Sequence, residues 1–135
     1  MSQANVQAVL NWSRFFGERD DEALFAMYTP DIEWDLTGYS PWIEQRTFIG
    51  LDGVRQFFRL WLEAFVNYEM EVRDPVAVAG ERVVATITDR AVGRRSRVPT
   101  QRTFAGVLTL RDGKIVRIQL LDTRAAALKA VGLEE

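Results

Sequence analysis

The chain has 135 residues, 17 Lys+Arg against 19 Asp+Glu, no cysteine and no histidine. Its length predicts one domain, residues 1–135, large enough to bury a core, and its near-neutral charge argues against a nucleic-acid partner. Without cysteine or histidine there is no disulfide framework, no thiolate chemistry and no imidazole base, so any acid–base work falls to Asp, Glu, Tyr, Lys or Arg.

The N-terminus, MSQANVQAVLNW, lacks the basic and apolar regions of a secretion signal, and no apolar run approaches membrane-spanning length. A soluble, cytoplasmic protein with no membrane partner is expected. Residues 4–17 repeat Val6, Val9, Leu10 and Phe16 at helical spacing, with Trp12 and Phe15 widening the stripe and Gly17 as the stop. Asp20 or Asp21 can cap a second short helix, DEALFAMY, which Pro30 ends. Ile32 to Leu36 reads as a short strand, and the stretch TGYSPWIEQRTFIG as an irregular loop that folds over something with Tyr39, Trp42 and Phe48. Asp52 caps a third helix whose Val54, Phe57, Phe58, Trp61, Leu62 and Phe65 form one wide apolar stripe, suited to packing on a sheet.

Beyond that helix the chain turns to strands: Tyr68 to Ala79, a turn at Gly80-Glu81, then Arg82 to Val92. After the loop GRRSRVP comes TFAGVLTLRDGKIVRIQLLD, in which Asp112-Gly113 is a strong type I′ hairpin signal. A two-residue loop pairs Arg111 with Lys114, Leu110 with Ile115, Val107 with Ile118 and Thr103 with Asp122. One face then reads Val107, Val116, Ile118, Ala105 and Leu120 and ends in Asp122, an apolar wall finished by a carboxylate. The opposite face (Phe104, Leu108, Leu110, Ile115, Leu121) is also apolar, which predicts a homodimer packed through it. Thr123 caps a last short helix ending at Gly132. Of fifteen aromatic residues, fourteen lie at or before Tyr68, so bulky packing comes from the first half and strands from the second. The order α-α-β-α-β-β-β-β-α with that segregation predicts an α+β architecture.

The "YTPDIEW" element, the helix start "GLDGVRQFF" and the ending "RDGKIVRIQLLDTRAAAL", after two short helices, together resemble the SnoaL-like branch of the NTF2-like superfamily over nearly the whole chain. The resemblance implies a cone: a strongly curved antiparallel sheet wrapped around three N-terminal helices, with an internal apolar pocket. Relatives of this kind include polyketide cyclases, ketosteroid isomerases, limonene epoxide hydrolases and pure binding modules, so fold alone leaves the activity open.

Asp35 falls, with a one-residue gap, where isomerase relatives keep their base. Flanked by Trp34 and Leu36 and facing an aromatic cavity, its pKa should rise by desolvation, which suits proton abstraction; the plainer reading is a strand-end cap. Asp122 is a second candidate acid, or a helix cap. The tyrosine that isomerases carry on the first helix becomes Trp12, and their protonated acid falls among Ala105, Gly106 and Val107, so steroid isomerisation is not expected; each missing donor forfeits on the order of 3 kcal/mol. The Arg-x-Asp pair of the epoxide hydrolases is broken, because Asp89 and Arg90 are adjacent and cannot share a strand face. Arg90, Arg94, Arg95, Arg97 and Arg102 cluster around the third turn, either as an anion seat or as a solvated hairpin.

Trp12, Phe16, Tyr28, Trp34, Trp42, Phe58, Trp61, Met70, Ile118 and Leu120 are the expected pocket wall, with Trp12 and Tyr28 as donors to a carbonyl oxygen. Carboxylates alone could hold only a hard cation, and no acidic loop is suitably spaced, so neither metal nor cofactor is expected. The expected ligand is a small apolar molecule, cyclic or polyketide-like, isomerised, cyclised or hydrated with Asp35 as base. The alternative is a binding or carrier module without turnover.

Overall fold

A computed structural model describes residues 2–39 and 47–133. The N-terminal stripe forms α1 (Ser2–Glu18), which buries Val9, Trp12 and Phe16, and α2 (Asp21–Ala26) follows, burying Leu24 and Phe25. α1 runs through Gly17 and stops at Arg19, which takes a φ of 56°. There the chain closes with Arg19 N–H donating to the Phe16 carbonyl and Asp20 N–H to the Phe15 carbonyl. A non-glycine residue in this region carries some strain, which its side-chain contacts offset. Asp20 is the cap of α2, accepting from Ala23 N–H at 3.2 Å.

The first strand is longer than its apolar run: β1 spans Tyr28–Gly38, and a short β2 (Thr47–Ile49) pairs with it inside the stretch read as irregular. α3 (Gly50–Glu63) has no side-chain cap; Asp52 lies in its first turn, where a negative charge suits the helix dipole. Then come β3 (Phe65–Ala79), β4 (Arg82–Gly93), β5 (Pro99–Arg111), β6 (Lys114–Leu121) and α4 (Arg124–Ala130), capped by Thr123. No helix among the described residues is long and apolar enough to cross a membrane.

The strands form one sheet in the order β2-β1-β6-β5-β4-β3. It is mixed: β1 and β6 run parallel, and the other pairs are antiparallel. Register shifts in β1 (Tyr28/Glu33, Asp35/Gly38) and β3 (Val66/Glu69, Arg73/Ala77) bend the strands. Helices α1, α2 and α3 pack in the resulting concavity.

The final hairpin has the expected turn, with φ of 53° at Asp112 and 78° at Gly113, and the expected first pairs, Arg111 with Lys114 and Leu110 with Ile115. Beyond them Val116 is an extra residue in β6, so Thr109 opposes Arg117 and Leu108, not Val107, opposes Ile118. A one-residue slip exchanges the faces of a strand. The expected assignment is therefore reversed along β5 and at Ile115, while Ile118 and Leu120 keep the expected inward face: Phe104, Leu108, Leu110, Ile115, Ile118 and Leu120 lie in the main core. Ala105, Val107 and Leu121 face the other way, packed with Val84 beneath Ala127, Leu128 and Val131 of the C-terminal segment. The residues that suggested a dimer surface are inside the protein or under α4.

Two substitutions report this register. Leu108→Ala, at a fully buried position, is expected to cost about 2–5 kcal/mol. Val116→Ala, at the half-buried bulge, is expected to cost under about 1 kcal/mol. Urea unfolding midpoints with unchanged slopes decide it, and the converse order would contradict the bulge.

Candidate functional site

Between the helices and the sheet lies a cavity walled by rings in tilted and edge-to-face contact: Phe16 on Phe58 at 5.5 Å, Trp34 on Phe57 at 4.7 Å, Trp61 on Tyr68 at 5.9 Å. Of the expected wall, Trp12, Phe16, Trp34, Phe58, Trp61, Met70 and Leu120 line it, joined by Phe57, Tyr68, Ile87 and Phe104. Tyr28 stands behind Trp12, whose Nε1–H donates to the Tyr28 hydroxyl at 3.0 Å. Ile118 is fully buried in the core without reaching the cavity, and Trp42 lies outside the described residues. The cavity holds about 20 Å³, room for about one water. A groove of about 250 Å³ on the outside shares Phe16, Tyr68 and Met70 with it, so these three side chains are the partition between cavity and solvent.

A buried charge lies beside the cavity, behind the wall residue Tyr68. Along β4 the residues facing the helices are Val83, Ala85, Ile87, Asp89 and Ala91, and Asp89 is 1% exposed. Its cross-strand partner is Arg102 on β5. Arg102 Nε donates to Oδ1 at 3.2 Å and Nη2 to Oδ2 at 2.8 Å, and Tyr68 donates its hydroxyl to Oδ2 at 2.7 Å. A carboxylate has about four lone-pair sites, so one remains, on Oδ1. The guanidinium lies over the rings of Trp61 and Phe65, 5.2 and 5.1 Å from their centroids. Burial pulls the Arg102 pKa down, but the bond to Asp89 and the neighbouring negative groups raise it on balance.

Tyr39, just past β1, stacks on Phe104 at 5.1 Å, and its pKa is pushed up to about 12 by burial, with Arg102 opposing and Asp89 and Asp122 reinforcing. Tyr68 is raised further, by burial and then by the adjacent Asp89 charge. Arg19 fixes Tyr68 from the other side, donating to its carbonyl at 2.7 Å and lying over the Phe16 ring at 5.1 Å.

Asp35 stands elsewhere. Alternation along β1 turns Trp34 inward and Asp35 to the opposite face, where Arg117 Nη2 donates to Oδ2 at 2.6 Å and Thr37 donates through N–H and Oγ1 to Oδ1. Glu33 shares the same arginine at 3.4 Å. The expectation that Asp35 faces the aromatic cavity is corrected: it is the acid of an ion cluster on the outer face. Asp122 is exposed just past β6, near enough to Tyr39 to act on its pKa, while Thr123 caps α4. The arginine cluster divides. Arg102 points inward, Arg90 pairs on the surface with Glu69 at 3.8 Å, and Arg94 holds the carbonyls of Glu63 and Phe65.

Asp89 thus has an arginine, on the next strand and not on its own. The signal for it was present in the sequence, because Asp89 is in phase with Val83, Ala85 and Ile87, an acid in an apolar register.

A curled mixed sheet over three helices, closed on a buried aromatic core, defines an α+β fold of the NTF2-like class. The chain belongs to the SnoaL-like domain family, whose profile matches residues 9–118. Among solved structures it is similar to an NTF2-like protein of unknown function from Burkholderia pseudomallei K96243, at 24% identity and TM-score 0.77 over 95% of this chain and 97% of that one. It is also similar to TerC co-crystallised with polyporic acid, at 22% identity and TM-score 0.76 over 96% and 98% of the two chains. A third is SalBIII, an epoxide hydrolase/cyclase-like enzyme of pyran ring formation in the polyether salinomycin, at 18% identity and TM-score 0.73 over 89% and 91%. No curated protein sequence matches.

All three tyrosines of the chain have pKa values raised above 10 in the folded state. Folding therefore favours their protonated forms, and that stability is held below pH 10 and lost as pH climbs through the raised values. Tyrosinate absorbance is expected to appear above about pH 12, in one step with loss of the folded circular dichroism signal. A hydroxyl titrating near pH 10 in the folded protein would contradict this burial.

Proposed function

We propose that the protein binds a small, largely apolar, cyclic molecule in this cavity and transforms it by cofactor-independent acid–base chemistry: isomerisation, cyclisation or hydration. The observation that carries this reading is Asp89. A carboxylate that is 1% exposed and bonded to Tyr68, a wall residue of the aromatic cavity, has a high desolvation cost that Arg102 and Tyr68 offset. A hydrophobic core needs no such group, whereas proton transfer does. In this reading Asp89 takes the proton, or the hydrogen of a water, on the free lone pair of Oδ1. Arg102 and Tyr68 hold the carboxylate in place, and Asp122 at the rim is the second acid. Phe16 and Met70 must move to admit a ligand, since the cavity as it stands takes about one water. The polyporic acid co-crystallised with TerC and the pyran ring formation of SalBIII, two proteins that share the fold, support a pocket for ring-bearing molecules.

A carrier without turnover is the second reading, favoured by the almost wholly hydrocarbon lining of the cavity. The decisive experiment is native mass spectrometry of protein from its own host, followed by turnover of the retained molecule. Asp89→Asn is expected to lower turnover by at least about 100-fold with affinity nearly unchanged, while Asp35→Asn leaves turnover intact. A retained molecule that is released unaltered by the wild-type protein would establish the carrier reading instead.

A further inference from the structure

The partition between cavity and groove sits where the usual residue preferences of a helix end are inverted. Phe16 is 6% exposed in the last turn of α1, packed edge-on against Phe58 and Tyr68 at 5.5 and 5.9 Å. Gly17, the next residue, is helical and lines the groove. Its φ is not positive, and a Cβ added there would meet nothing within 4 Å. Neither backbone conformation nor crowding therefore calls for glycine, and alanine would favour the helix at this position by about fivefold. Two residues on, the preference is turned around. Arg19 holds the left-handed φ of 56° that closes the helix, a place where glycine is the usual occupant. Local rules broken side by side in this way mark a functional or strained site.

Both residues touch the partition. The Arg19 guanidinium lies over the Phe16 ring at 5.1 Å, and its Nη2 crosses to β3 to donate to the Tyr68 carbonyl at 2.7 Å. Tyr68 itself is fixed, because its hydroxyl is held by Asp89 at 2.7 Å. Met70, half-buried and unbranched, can yield by a change of rotamer alone. Phe16 touches two rings and the guanidinium, so it leaves only when the last turn of α1 loosens and Arg19 lets go. The glycine makes that turn easy to loosen, and the arginine keeps it closed at rest.

We propose that the end of α1 is the door of the cavity: Phe16 turns out toward the groove on a hinge at Gly17, and Arg19 is the latch that ties it to Tyr68. The closed cavity of about 20 Å³ takes one water, whereas the departing phenyl ring leaves room for a ligand ring of its own size. What passes through the door rests on reading the cavity as a ligand site. The door itself can be tested with water alone.

The test is native-state hydrogen exchange of the Trp34 and Trp61 indole N–H groups, which belong to cavity-lining residues. The amide of Leu108, fully buried on β5, reports global unfolding. The indoles are expected to exchange faster than Leu108 and with little dependence on urea, since a local opening exposes little surface. Gly17→Ala should slow the indoles about three- to fivefold, and Arg19→Gly should speed them about tenfold, each with the weak urea dependence kept. Both substitutions suit the local backbone, alanine in the helix and glycine at positive φ, so both variants are expected to fold. Indoles that exchange only together with Leu108, on the same urea slope, would overturn the door, and so would variants that leave the indole rates unchanged. Fluorine NMR of fluorobenzene with Phe16→Ala, in which the ring-sized space stands open, tests the ligand reading separately. Binding there supports the cavity as a ligand site; no binding removes that reading, while the exchange rates still decide the door.

Discussion

A strand presents alternate residues to opposite faces, and in this protein a single inserted residue decides which set meets the helices. Val116 shifts β6 by one position relative to β5, so Leu108 and Ile118 meet across the core while Val107 and Gln119 look outward. Without that bulge, Ile118 would bring Val107 inward and send Leu108 and Phe104 out, and the cavity floor of Phe104 and Leu120 could not form. Because Arg117 and Gln119 follow the same shift, the outer face receives the guanidinium that holds Asp35. The inner surface, the outer ion cluster and the seat of α4 on Ala105 and Val107 all depend on this one irregularity.

The inner surface joins two kinds of energetics. Most of it is hydrocarbon, where burial contributes on the order of 25 cal/mol per Å² and edge-to-face rings add to it. The Asp89–Arg102 pair belongs to a different category. Buried ion pairs are rarely stabilising relative to apolar residues of the same size, yet removing one partner costs about 3–5 kcal/mol. Such a pair orients a group at the expense of stability. Here it holds the carboxylate against Tyr68, and through the backbone of Tyr68 to Arg19 at the end of α1. The tip of the first helix and the buried charge beside the cavity are thereby mechanically linked.

Much of this was legible in the sequence, and the failures have physical causes. Helical periodicity located α1 and α3, and Asp112-Gly113 located the final turn, because both signals are local. Arg19 as a helix stop was hidden, since its positive φ depends on contacts with Tyr68 and Phe16, remote in sequence or invisible to turn propensity. The bulge at Val116 was hidden for the same reason: nothing in KIVRIQLL marks which valine or isoleucine is skipped. That slip turns over the faces of β5, while Ile118 and Leu120 stay inward. The apolar neighbours of Asp35 point it to the cavity, although the same alternation that buries Trp34 and Leu36 must turn Asp35 outward. An Arg-x-Asp pair lies on one strand, whereas the antiparallel pairing supplies Asp89 with Arg102 directly opposite.

The register shifts in β3 have a second consequence. This strand, Phe65–Ala79, ends the sheet and carries a long row of backbone groups on its free side, the kind of margin on which foreign strands dock and fibrils begin. Two bends, one at Asn67 with its φ of 54°, break that margin into short pieces that do not lie in one line. Glu69, Glu71 and Arg73 line its outward side with charge. The distortions that turn Tyr68 toward Asp89 therefore also spoil the template for aggregation. A variant that straightened β3 would give up colloidal solubility along with its inward tyrosine.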